Sequence, residues 1–291
     1  MIIDQQSGEN WTMIHGDCAE SLGDIPDRSI DYSIFSPPFS SLYTYSNSPR
    51  DMGNCRTDAE FFEHFGFLVK ELRRVIKPGH NVSFHCMLLP TSKERDGYIG
   101  LKDFRGDLIR AFQAEGFIHA SEVVIWKDPV TAMQRTKALG LLHKTVRTNA
   151  CMSRQGIPDY LITMRSPGEM VDRVLHDPSQ YPVDKWQKVA SPVWMDIDPN
   201  DTLQFRSARE HDDERHICPL QLEVIRRGID LWTNPGDVVL SPFGGIGSEG
   251  FVSLEMGRKF VGIELKDSYF RQACANLRNA TKQSDMFGDA T

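Results

Sequence analysis

The chain has 291 residues, with 33 Lys and Arg against 40 Asp and Glu and a formal net charge of −7. That balance argues against a protein that coats nucleic acid along its whole surface, but it leaves room for a local basic groove, because phosphate contacts depend on where the charge sits. No stretch approaches the ~18 apolar residues of a membrane span, and residues 1–10 have neither a basic start nor an apolar run. No membrane association and no signal peptide are therefore expected, and the protein is read as cytoplasmic, a monomer or homodimer.

Apolar residues make up 40% of the chain, enough for a sizeable core. One large α/β domain with an insertion fits this length as well as two small domains do. Cys18, Cys55, Cys86, Cys151, Cys218 and Cys274 form no CxxC pair and no Cys/His cluster with zinc-like spacing. Free thiols in a reducing compartment, with no metal, are expected.

In chain order, residues 11–15 read as a short strand entering the turn Gly16-Asp17. Residues 29–35 read as a largely buried strand, stopped at Ser36-Pro37-Pro38 because two prolines remove backbone donors. Over 59–76, Phe62, Phe65, Leu68, Val69, Leu72 and Val75 recur at helical spacing, and Lys77-Pro78-Gly79 ends that helix. A strand over 81–87, a helix over 104–115 closed by Gly116, and a strand over 121–126 follow. Periodicity is weak from 131 to 156, where Arg135, Lys137, Lys144, Arg147 and Arg154 occur with no Asp or Glu among them.

Strand character returns at 159–164, and 167–213 has few regular signals. A helix over 219–232, a turn at 234–237, a buried strand over 238–240, a helix over 250–256, a strand over 260–263 and a helix over 268–280 complete the pattern. Residues 281–291 read as a flexible tail. Alternating strands and helices predict an α/β fold, a mostly parallel Rossmann-like sheet with helices on both faces. Such sheets bind ligands at the carboxyl ends of their strands.

Two motifs fall at such positions. In the segment 237–250 (DVVLSPFGGIGSEG), Gly244, Gly245 and Gly247 permit close backbone approach to a ligand. Gly245-x-Gly247-x-x-Gly250 also matches the dinucleotide fingerprint, and Glu264, at the end of the next strand, suits ribose hydroxyls in either case. An adenosyl methyl donor is favoured over NAD, because little chain follows for a second dinucleotide half and Ser241-Pro242-Phe243 places an aromatic for packing on the cofactor. An NAD-linked oxidoreductase would leave the second motif, Ser36-Pro37-Pro38-Phe39, without a role.

That second motif suits methylation of an amine. The exocyclic amine of cytosine or adenine is a poor nucleophile, because its lone pair is delocalised into the ring. The Ser36 hydroxyl and the Pro37 carbonyl are candidate acceptors for its N–H groups in the transition state, and Phe39 offers a face for stacking the base. A base inside a duplex must be flipped out to reach such a corner. No general base is required in this reading: the amine becomes acidic as it is methylated, and its proton leaves to Ser36 or water.

On these residues the chain resembles bacterial and phage amino-methyltransferases of DNA, the N4-cytosine/N6-adenine family, in the permuted order with SPPF before FxGxG. The resemblance covers 12–39, 61–86, 156–169 and 216–277. It implies S-adenosylmethionine as cofactor, with Asp17 and Cys18 at its adenine, Phe243, Gly245 and Gly247 around its methionine part, and Glu264 on its ribose. It also implies that the segment beginning at His216 and running through Pro219 shapes the other side of that site. Ser241 stands where family members often carry Asp, which leaves open how the cofactor amino group is held. Ser36 at the head of the catalytic motif points to cytosine N4, with adenine N6 as the alternative.

The resemblance divides the chain into a catalytic half (1–130), a variable target-recognition region (131–213), a cofactor half of the same domain (214–280) and the tail (281–291). Arg135, Lys137, Lys144, Arg147 and Arg154 are candidate phosphate contacts, and His143 or Asn149 candidate base contacts; a solvated basic loop fits the same residues. Tyr43-Thr-Tyr45 and Arg50-Asp-Met-Gly-Asn54 fit either a lid over the flipped base or an ordinary polar loop. A methyltransferase of RNA or of a protein amide, and a catalytically silent DNA-binding module, share both motifs. No nuclease motif is evident, which fits a stand-alone modification enzyme.

Overall fold

In a computed structural model the described residues are 2–39, 51–55, 57–136, 138–179, 181–204 and 219–288. The first half runs β1 (Ile2–Ser7), β2 (Trp11–Gly16), α1 (Cys18–Leu22), β3 (Ile30–Phe35), α2 (Asp58–Val75) and β4 (Ile76–Met87). A small excursion follows: β5 (Leu89–Pro90), α3 (Lys93–Asp96) and β6 (Leu101–Lys102), with β5 and β6 paired only to each other. Then come α4 (Phe104–Ala114), β7 (Ile118–Ile125), α5 (Pro129–Thr136), α6 (His143–Thr148) and β8 (Asp159–Arg165). The chain closes with α7 (Val183–Ala190), β9 (Val193–Trp194), α8 (Leu222–Trp232), β10 (Val238–Ser241), α9 (Ser248–Glu255), β11 (Lys259–Glu264) and α10 (Asp267–Gly288).

The main sheet has nine strands in the order β1-β2-β11-β10-β3-β4-β8-β7-β9. β2, β11, β10, β3 and β4 pair in parallel, as do β7 and β9, while β1 and β8 run against their neighbours. The expected mostly parallel sheet is thus present. Helices cover both faces. One core joins Cys18 and Leu22 of α1, Phe61 and Phe65 of α2, and Leu108 and Phe112 of α4. The other joins Val224 and Ile229 of α8, Val252 of α9, and Phe270 and Leu277 of α10.

Local chemistry explains the elements. Thr57 caps α2, its Oγ1 accepting from Glu60 N at 3.2 Å. Asp58 and Glu60 lie in the first turn and Arg73 and Arg74 in the last, each sign at the favourable end of the helix dipole. Asp31 at the start of β3 is buried and accepts from Val238 N at 2.9 Å and Lys77 Nζ at 2.6 Å. It ties β3, β4 and β10 together at the amino edge of the sheet.

The structure departs from the sequence expectations at several points. β1 carries mostly exposed residues and no clean alternation, so it gives no periodic signal. α2 ends at Val75, just before Lys77-Pro78-Gly79 as expected, but β4 begins at Ile76 rather than at 81. The weakly periodic 131–156 contains α5 and α6, and the irregular 167–213 contains α7 and β9. The final helix continues through Gly288, beyond the end expected at 280.

The winding order locates the crevice. From β3 the chain crosses through α2 to β4 on one side, and from β10 it crosses through α9 to β11 on the other. Between β10 and β3 the winding therefore reverses, which is where open α/β sheets bind ligands at their carboxyl edge. The glycine loop leaves β10 and the SPPF corner leaves β3 at that edge.

Candidate active site

On the β10 side of the crevice the loop after Ser241 is drawn over the end of β11. Gly244 N donates to Ile263 O at 2.7 Å, and Gly247 N donates to Gly244 O at 2.7 Å. Gly247 has φ +86° and stands at the start of α9, a left-handed conformation that costs any other residue energy. A Cβ on Gly245 would meet open space, whereas one on Gly247 would meet Ala273 at 3.2 Å. The loop thus presents bare backbone at Gly245 and packs tightly at Gly247.

Glu264 is the anchor of this loop. Its Oε2 accepts from Gly245 N and its Oε1 from Lys266 N, both at 2.8 Å. Burial pushes its carboxyl up to about 7, against the pull of those hydrogen bonds. Glu249, in the first turn of α9, is pushed up to about 8 by burial, with a smaller contribution from Glu264. Ser241 is buried, and its Oγ makes no hydrogen bond among the described residues. Two buried acids, an orphaned hydroxyl and an open glycine cradle at one strand end fit a ligand that carries positive charge and hydroxyls. S-adenosylmethionine has both.

The other residues expected at the cofactor gather nearby. Asp17 caps α1, its Oδ1 accepting from Glu20 N at 2.9 Å, so part of its capacity is spent locally. Burial drives the Cys18 thiol well above its ordinary range, and the charges of Asp17 and Glu264 act in the same direction. Phe243 is half-buried, its ring 5.7 Å from that of Phe35. Pro219 leads into α8, and His216 lies outside the described residues.

On the β3 side, Ser36 follows the last residue of the strand. Phe35 pairs with Phe84 in β4, which sets Ser36 beside His85. Ser36 Oγ lies 3.1 Å from His85 Nδ1. His85 Nε2 in turn lies 3.1 Å from Asp159 Oδ2, an oblique ion-pair contact, and Lys127 Nζ lies 2.5 Å from Asp159 Oδ1. Burial raises the Asp159 carboxyl, but His85 and Lys127 more than offset it and hold it below the ordinary range. Pro37 is buried. Phe39 is half-buried, its ring 6.3 Å from that of Phe104, so one side of this candidate stacking surface already meets α4.

The basic segment belongs to the same edge. β7 ends at Ile125 and β8, antiparallel to it, begins at Asp159, so the intervening chain leaves from and returns to the carboxyl edge. Within it His143, Lys144 and Arg147 are exposed on α6, and Arg154 is half-buried with its Nη1 donating to Gln155 O at 3.0 Å. Lys137 and the side chain of Arg135 lie outside the described residues, as do Tyr43, Tyr45 and Arg50.

Comparison with known proteins then decides the family. A family model described as DNA methylase matches residues 30–275. The chain belongs to this family. Members use S-adenosylmethionine, and the enzyme is a DNA methyltransferase of the N4-cytosine or N6-adenine type.

Individual proteins agree. The chain is 25% identical over 283 residues to the DNA adenine methyltransferase YhdJ of Escherichia coli (strain K12), covering 95% of this chain and 85% of that protein. It is 25% identical over 278 residues to the Type II methyltransferase M.BglII from Bacillus subtilis, covering 94% and 70%. In fold it matches the PvuII DNA methyltransferase (cytosine-N4-specific) with a TM-score of 0.65 at 17% identity, covering 100% of this chain and 98% of that one. TTHA0409 of Thermus thermophilus, complexed with S-adenosyl-L-methionine, matches with a TM-score of 0.65 at 18% identity, covering 92% and 94%.

Several residues of this DNA methylase escaped the sequence reading. Asp51 is buried beside Gly53, whose N–H it accepts at 2.8 Å, and its charge helps raise Glu264. Met52 and Cys55 are buried in the first core, so 51–55 is packed against the body of the protein. His85, Asp159 and Lys127 come from three separate stretches that only strand pairing brings together. The one sequence signal was Asp159 itself, the lone acid of its strand.

Proposed function

We propose that this DNA methylase transfers a methyl group from S-adenosylmethionine to the exocyclic amino nitrogen of a flipped base, with cytosine N4 as the target. The observation that carries the reading is the juxtaposition across the switch point: the Gly245–Glu264 cradle on β10 and β11, and the Ser36 hydroxyl at the end of neighbouring β3. S-adenosylmethionine supplies an electrophilic methyl carbon when bound. The protein's residues do the rest. Glu264 takes the ribose hydroxyls, the Gly245 backbone lines the cofactor, and Glu249 with Ser241 faces its cationic end. Ser36 and the Pro37 carbonyl accept from the amine N–H groups, favouring the tetrahedral nitrogen of the transition state. Phe39 stacks on the base.

Residues 131–156 are assigned to the DNA, with His143, Lys144, Arg147 and Arg154, together with Arg135 and Lys137, against phosphates and base edges. Ser36 supports cytosine, since members of the family with Ser in this place usually modify N4. Adenine N6 is the second reading, favoured by the similarity to YhdJ along most of the chain. Labelled methyl transfer to unmethylated duplex DNA, to structured RNA and to a protein mixture tests the substrate class. Label in DNA is the expected result; label confined to RNA or protein overturns it.

A further inference from the structure

Behind Ser36 the sheet carries a polar row whose other members the methyl-transfer chemistry above does not use. Ser36, His85, Asp159 and Lys127 come from the ends of four neighbouring strands, β3, β4, β8 and β7. Strand pairing puts them on one face. Phe35 is paired with Phe84, so Ser36 stands beside His85; Met87 is paired with Asp159, two residues along the same side of β4. Ile125 is paired with Asp159 from the other flank, and Lys127 follows two residues later. Contacts of 3.1, 3.1 and 2.5 Å join the four in sequence.

A charged Asp and a His packed this deeply demand an explanation, because buried polar groups cost stability unless they are satisfied. Asp159 is 3% exposed and His85 9%. Nothing about the fold requires them: neighbouring positions on the same face hold Leu161 and Ile34. The row leads from solvent-accessible Lys127 to the Ser36 hydroxyl at the crevice.

We propose that His85 is a positioning residue that takes the Ser36 proton during methyl transfer, with Asp159 and Lys127 fixing its orientation. This rests on the methyltransferase reading. With Nε2–H toward Asp159, the unprotonated Nδ1 accepts the Ser36 hydroxyl proton, so both Ser36 lone pairs are free to face the amine. Methylation leaves the amine nitrogen with one proton too many. That N–H bond breaks as a new O–H bond forms at Ser36, while the original Ser36 O–H breaks and an N–H forms at His85 Nδ1. The methylamine leaves neutral and His85 leaves as imidazolium beside the Asp159 carboxylate, to be reset by loss of the proton to water. The charged groups facing His85 are Asp159 from β8 and, beyond it, Lys127 after β7; β3 contributes Ser36.

The test is the pH dependence of single-turnover methylation at saturating cofactor, which bypasses titration of the cofactor cradle. In the unmodified enzyme the rate is expected to fall about tenfold per pH unit on the acid side, the mark of a step that needs a free proton acceptor. His85→Gln is expected to lower the rate about 100-fold, within the usual range for proton transfer, to flatten the acid limb and to leave cofactor affinity unchanged. Added imidazole should restore part of the rate in His85→Ala. A flat acid limb in the active unmodified enzyme, or a His85→Gln enzyme with unchanged rate and profile, overturns the proposal while leaving the methyltransferase reading intact. An unmodified enzyme that methylates no DNA overturns both.

Discussion

In the proposed mechanism Ser36 and Glu264 divide the labour between the two sides of the crevice, and substitution separates them. Ser36→Ala should cut turnover ~100-fold or more, the usual cost of a lost transition-state hydrogen bond, with cofactor affinity held within about twofold. Glu264→Ala should instead weaken cofactor binding by tenfold or more in calorimetry, because two backbone N–H donors lose their acceptor. Unchanged affinity would contradict the ribose assignment.

The buried acids also make stability depend on pH in an unusual direction. Glu249 rises to about 8 and Glu264 to about 7 in the folded state. A raised carboxyl binds its proton more tightly folded than unfolded, so its contribution is fully present below the unfolded value near 4.5 and is lost as pH rises through 7 to 8. The ligand-free protein should lose up to ~1.4 kcal/mol per pH unit for each group across that window. Glu249→Gln should melt higher than the unmodified protein at pH 8 and about equally at pH 4.5. Coincident melting curves at both pH values would show that Glu249 is ionised without penalty.

At this scale Glu264, Ser36 and the glycines were legible in the sequence, because backbone approach and strand-end chemistry are local. His85 was not. Its partners lie 49 residues away at Ser36 and on another strand at Asp159, and no local pattern sets a histidine inside a buried strand apart from a core residue.

Among the elements, the loop from β10 to α9 tolerates little change. Gly247→Ala would place a Cβ in left-handed backbone and within 3.2 Å of Ala273 on α10. A loss of about 2 kcal/mol in denaturant melts is expected, along with weaker cofactor binding. α8 makes a comparable demand at Gly228, where a Cβ would sit 2.7 Å from the Tyr32 hydroxyl of β3.

The basic edge element is expected to be tolerant in the opposite sense. Lys144→Ala with Arg147→Ala should leave melting and cofactor affinity unchanged while weakening DNA binding. The double change should lower the slope of log affinity against log salt by about 2, one for each cationic side chain removed from a phosphate. An unchanged slope would mark α6 as an ordinary solvated surface. α2 and α8 were readable because each buries one face with strong 3.6-residue spacing. β1 and α6 were not, because their mostly exposed side chains carry no such pattern.

The whole molecule joins two halves at the reversal between β10 and β3, and its net charge of −7 leaves the carboxyl edge, where the basic segment emerges, as the proposed DNA contact. Alternating strands and helices made the fold class legible. Strand order was not, since it depends on which distant segments pair: β8 looks from the sequence like part of a variable region, yet it lies between β4 and β7 and carries Asp159 to the site.

Nucleoside mass spectrometry of unmethylated DNA after incubation with the protein and S-adenosylmethionine tests the central claim most directly. The account predicts N4-methylcytosine, absent when Ser36 is replaced by alanine. N6-methyladenine in its place would contradict the reading of Ser36 as a cytosine determinant, and methylated nucleosides formed equally well by Ser36→Ala would contradict the site itself.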